Sequence, residues 1–211
     1  MDRGAMVHAI ALAVVLQVVN VAGVPPSTLE QAQTEVARVF RDIGVNLEWS
    51  RTASPSTDRS PVIRIVLVAY ETGELQQRTD TVMGAAVRTT LGTGVAYVFY
   101  RRVESEAARH TVPVASVLAC AMAHELGHLL LPNGVQAGHS PAGLMRACWN
   151  RGDFHRAEQG LLRFSSDQAV RIRTGLTASG PAPPARASIP APASTPRSCS
   201  PPVQETSAPC R

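Results

Sequence analysis

The chain has 211 residues, 45% of them hydrophobic and 4% aromatic, with 20 basic and 16 acidic side chains and a formal net charge of +4. Every basic residue is arginine. They are spread along the chain with no basic run and no interleaved aromatics, which excludes a nucleic-acid-binding stripe and predicts little beyond solubility.

Residues 1–23 (MDRGAMVHAIALAVVLQVVNVAG) begin with Arg3, continue through an apolar run from Ala9 to Val19 and end on the small residues Ala22 and Gly23. That order reads as a secretory signal peptide and predicts a bacterial export route to the medium, periplasm or cell surface. The run is short for a membrane span, which needs about 20 apolar residues, so membrane contact is expected only if the leader stays uncleaved. The domain proper is then expected at residues 24–176, working as a monomer.

Ser27 with Glu30 three positions later has the form of a capping box, and Leu29, Ala32, Val36, Val39 and Phe40 follow at helical spacing. Gly44 ends that helix and Val45 to Trp49 alternates as a strand. The polar stretch Ser50 to Pro61 is a loop. Val62 to Tyr70 (VIRIVLVAY) is dense in β-branched residues and suits a central strand. Residues 71–94 are polar, with Gly84, Gly92 and Gly94 marking turns, and Val95 to Tyr100 (VAYVFY) makes another strand.

Pro113 suits a first helical turn, and Val114 to Leu131 forms an apolar helix that Pro132-Asn133-Gly134 stops. A turn and loop run through Met145, Asp153 to Leu162 makes a short helix, and Ser165 or Ser166 caps a last one through about Thr174. Residues 177–211 are dominated by Pro, Ala and Ser, bury too little apolar surface to offset the entropy of ordering, and are expected to be disordered. Of the four cysteines, Cys199 and Cys210 sit together in that tail, and Cys120 and Cys148 flank the histidine-rich segment. Four cysteines allow three pairings, and an equal alternative makes Cys120 a buried thiol.

The chemistry lies in AHELGHLLLPNGVQAGHSPAGLM, residues 123–145. Residues four apart on a helix share a face with Cβ atoms about 5–6 Å apart, so the imidazoles of His124 and His128 reach one metal ion. Glu125 between them has the position of a general base acting on a metal-activated water. The third ligand has rival candidates: His139, or the carboxylate of Glu158 in the following helix, with His155 a weaker choice. His110 reads as a loop residue. Arg146, Trp149 and Arg151 follow Met145 closely, an arginine there being better placed for packing than for a substrate carboxylate.

This segment resembles the metzincin zinc metalloproteases, whose pattern is HExxHxxGxxH followed by a methionine-containing turn. The resemblance implies zinc ligation by His124, His128 and His139, Glu125 as the base, and Met145 as the methionine beneath the metal. It further implies a small metzincin-like zincin domain of the α/β (α+β) class, with a twisted mixed sheet, a backing helix and an active-site helix. The activity it implies is an exported zinc-dependent endopeptidase, its peptide substrate extended along a sheet edge, with VAYVFY as that edge strand. The chain departs from the pattern in two places: ten residues separate His128 from His139, and Leu131 stands where the glycine belongs. A non-catalytic zinc-binding domain that keeps the fold is the reading from another class. Glu125 weighs against it, because a binding module needs no general base.

Overall fold

The structure, a computed structural model, describes residues 12–50, 62–71, 82–90, 93–132 and 139–178. Several expectations lie outside those residues: a loop at 51–61, the turn at Gly92, the turn at Asn133-Gly134 with the linker that follows, and a disordered tail from residue 179 with Cys199 and Cys210. The described residues form five strands and five helices in a mixed α/β arrangement.

The strands are β1 (Leu12–Asn20), β2 (Val45–Ser50), β3 (Val62–Val68), β4 (Gly84–Thr90) and β5 (Thr93–Phe99), in the sheet order β2-β1-β3-β5-β4. β1 runs parallel to β2 on one side and to β3 on the other, with Leu16 opposite Trp49 and Ile63. β3 and β5 are parallel, and β4 closes the sheet antiparallel to β5.

The apolar run that resembles the core of an export leader is thus a strand with partners on both sides. Val14 and Leu16 are buried in the core, and cleavage after Ala22 or Gly23 would remove the whole strand from the sheet. An apolar run of this length satisfies a leader and a strand equally: Val14 and Leu16 are buried while Ala13 is exposed and Val15 half-buried, an alternation that the uniformly aliphatic sequence hides. Asn20 then turns the chain: its side-chain amide donates to the Val24 carbonyl at 2.9 Å and its Oδ1 accepts from the Val24 amide at 3.0 Å.

Helix α1 (Pro26–Arg41) follows with proline in its first turn and no side-chain cap. The expected Ser27 cap is absent, since Pro26 has no N–H to satisfy and its φ is already helical. The buried stripe of α1 is Ala32, Val36, Val39 and Phe40, and Gly44, at φ +77°, makes the turn into β2.

Two elements had no counterpart in the sequence reading. β4 occupies part of the stretch read as turns, and α2 (Tyr100–His110) begins where β5 ends. His110 belongs to the last turn of α2, stacked on Phe154 and 3.5 Å from Glu106, and not to a loop. β4 also corrects the expectation that VAYVFY is an edge strand. Val95 to Phe99 lies inside the sheet, hydrogen-bonded to β3 and β4, so it has no open side. Among the described strands β2 and β4 are the two edges, each paired on one side only, and β4 is the one that packs on α3.

Helix α3 (Val114–Leu130) packs against α1, α2, β4 and β5, and every residue from Val117 to Leu130 is buried. A helix apolar on all sides belongs in the interior. Helices α4 (Arg151–Glu158) and α5 (Ser166–Ala178) complete the fold. No helix among the described residues is long and apolar enough to cross a membrane.

Candidate metal centre

Burial in α3 is what makes its polar residues unusual. His124, Glu125 and His128 are 9%, 6% and 4% exposed on a helix whose other buried residues are Ala, Leu, Met, Cys, Val and Gly. Buried polar groups are tolerated when they are hydrogen-bonded or bind an ion. Helical spacing brings the Nε2 atoms of His124 and His128 to 3.0 Å from each other. Two nitrogens of a tetrahedral zinc site at 2.0–2.1 Å from the metal lie about 3.3 Å apart, so the pair is already close to ligand spacing.

His139 joins them from the far side of the chain segment 133–138. Its ring centroid is 5.3 Å from that of His124 and 5.0 Å from that of His128. One ring nitrogen from each of the three histidines falls within a set whose members all lie within 4.8 Å of one another. The local chain builds this approach. The Ser140 amide donates to the Met145 carbonyl at 2.8 Å, closing a short loop in which Gly143 takes φ +78°. The Leu144 amide donates to the Arg163 carbonyl at 2.9 Å and ties the loop to the approach to α5.

The Leu144 carbonyl orients the first ligand. It lies 2.8 Å from His124 Nδ1, and because a carbonyl only accepts, that nitrogen carries the proton and Nε2 keeps its lone pair toward the other imidazoles. The Trp149 indole donates to the same oxygen at 3.2 Å, with its ring edge-on to His124. Burial pushes the His124 pKa down to about 4 against the opposing bond to Leu144, and His139 pushes it in the same direction as burial. Burial also holds His139 below its ordinary value. Both are neutral at pH 7, the form that ligates a metal.

Two glycines leave the room that the larger groups use. A Cβ on Gly127 would sit 2.5 Å from Met145 Sδ, so the thioether packs directly on the α3 backbone between the two helical histidines. A Cβ on Gly84, at the start of β4, would lie 2.6 Å from Glu125 Oε1. The carboxylate therefore rests against the bare backbone of the edge strand.

Of the rival ligands, Glu158 stands on α4 with a side chain 42% exposed, 3.6 Å from His155, and neither joins the histidine set. Arg146 is engaged by Asp153, a carboxylate with a 2% exposed side chain that also caps α4 through the Asn150 amide at 3.0 Å. Arg151 opens α4. Cys120 is a free, buried thiol and Cys148 is disulfide-bonded, so the cysteines that flank the histidines do not pair with each other. Sequence reasoning missed the contributions of Gly84, which acts through its absent side chain, and Leu144, which acts through its carbonyl.

Neither a scan against protein-family models nor a search of curated proteins finds a match to this chain.

Proposed function

We propose that the domain is a zinc-dependent endopeptidase of the metzincin type that hydrolyses a peptide laid along β4. The observation that carries the proposal is the convergence of His124, His128 and His139, two of them on a buried helix, with Glu125 beside them. Three imidazole nitrogens, with His124 and His139 held neutral, fit zinc by donor type and by number, and three protein ligands with a further open position are the pattern of catalytic sites. When bound, the metal supplies a Lewis acid for the scissile carbonyl and acidifies a water.

The chain's own residues do the remainder. The Leu144 carbonyl holds His124 in the tautomer that ligates. Glu125, seated against Gly84, accepts a proton from the attacking water and passes it to the leaving amine. The open side of β4 offers backbone donors and acceptors to an extended substrate, which pairs as a further strand. A buried carboxylate beside the ligands suits a base better than a binding module, which has no use for one.

The test is zinc content and peptide hydrolysis in the wild type and in Glu125→Ala. About one zinc per chain in both proteins is expected, with hydrolysis lowered about 10²- to 10⁴-fold in the variant. Unchanged hydrolysis would remove Glu125 as the base. Zinc in the wild type with no turnover across a peptide library would leave a zinc-binding domain, and no zinc would remove the reading altogether.

A further inference from the structure

The C-terminal end of α3 is closed in a way the family pattern does not supply. Leu131 stands where that pattern has glycine, and its backbone is extended, with φ −74° and ψ 128°. The left-handed turn that lets following amides cap the last carbonyls is therefore missing. The next residue makes this worse for one group in particular. The carbonyl of His128 would ordinarily accept from the amide four residues on, and that residue is Pro132, which has no N–H.

Arg88 of β4 meets the need. One of its terminal nitrogens donates to the His128 carbonyl and also, at 2.5 Å, to the Leu131 carbonyl. The guanidinium is half-buried and burial lowers its pKa, yet an arginine begins so high that it stays cationic. A cation at a helix C-terminus also meets the negative end of the helix dipole. Alternation along a strand puts Gly84 and Arg88 on one face of β4, so a single face seats both Glu125 and the turn that carries His128.

We infer that Arg88 is a positioning residue of the metal centre, its guanidinium fixing the last turn of α3, and with it the His128 imidazole, in place of the missing glycine turn. The inference rests on the three-histidine reading above. It explains how this chain keeps a ligand helix in register while carrying Leu131 and a longer path to His139.

The experiment measures zinc affinity by chelator competition, and the d–d spectrum of the cobalt-substituted protein, for the wild type, R88M, R88K and T89A. Groups that orient metal ligands typically change affinity about 10- to 100-fold when removed, so R88M should weaken zinc binding by that factor and shift the cobalt bands. R88K, which keeps a cationic donor, should recover much of the loss, and T89A, at an exposed neighbour, should match the wild type. If R88M does not fold, R88K and R88Q replace it, and affinity should fall in the order wild type, R88K, R88Q; equality of the three would overturn the inference. A lower melting temperature in R88M with unchanged zinc affinity would make Arg88 a helix cap only and overturn it as well. Failure of the wild type to bind zinc would overturn the reading beneath it, an outcome distinct from zinc binding that is indifferent to Arg88.

Discussion

β1 and α3 are both apolar stretches built into the fold, yet the sequence of one reads equally as an export leader and the sequence of the other does not. In α3 the apolar background carries His124, Glu125 and His128, residue types that are costly to bury and gain a reason for burial only together. In β1 the only polar side chains are Gln17 and Asn20, and the rest is an aliphatic run. Aliphatic composition says that a segment leaves water. It does not say whether the segment enters a sheet, a membrane or a translocation channel. A buried polar atom carries more information because few surroundings satisfy it.

The sharpest way to break this comparison is to delete residues 1–23. With β1 gone, β2 and β3 lose their common partner, and the loss should be on the order of the whole stability of a domain, about 5–15 kcal/mol. Circular dichroism of the truncated chain should show no cooperative melt. A cooperative melt at the wild-type temperature would instead place β1 outside the folding unit and favour the leader reading.

A gentler probe is Leu16→Ala, which should cost about 2–5 kcal/mol in urea denaturation, because Leu16 is fully buried between two parallel neighbours. Val21→Ala, just beyond the strand and 68% exposed, should fall within about 0.5 kcal/mol of wild type. Equal effects at the two positions would deny β1 its place in the core.

On the side of α3, acid should destabilise the metal-free protein. The unfolded chain takes up a proton on His124 near the ordinary value of 6.5, whereas the folded chain resists until about 4. The unfolded state therefore binds more protons in that interval. Stability should be level above about pH 6.5 and fall by about 3 kcal/mol as the pH drops toward 4. Chelator-treated protein followed by denaturation at several pH values would show it, and a flat profile would mean that His124 is not desolvated. The smallest effect concerns Cys120, whose thiol burial pushes up to about 12. It should resist alkylation at pH 8 in the native protein and react only on unfolding, as mass spectrometry of the labelled chain would report.

Elsewhere legibility followed the same rule. The pair His124 and His128 was readable because helical spacing fixes their relation locally, and His139 because its neighbours Ser140 and Met145 travel with it. The choice against Glu158 needed three-dimensional placement. β4 was hidden by Gly84-Ala85-Ala86, poor strand formers that become a strand through pairing with β5. α2 left a trace that went unread: its buried residues Tyr100, Val103 and Ala107 recur at helical spacing inside a charged stretch. Arg88 could not be found from its own surroundings, since its partners are 40 and 43 residues away and are backbone carbonyls.

The pairing of β1 also has a consequence in time. Its partners are Val45–Ser50 and Val62–Leu67, so a newly made β1 cannot complete its ladder until the chain has grown past Leu67, 47 residues beyond Asn20 (67 − 20). At about 5–20 residues per second that is a wait of several seconds for an aliphatic strand with nothing to pair with. During that interval the nascent chain presents an unsheltered apolar run to whatever stands at the ribosome exit, and the order of synthesis makes β1 the segment most in need of a chaperone.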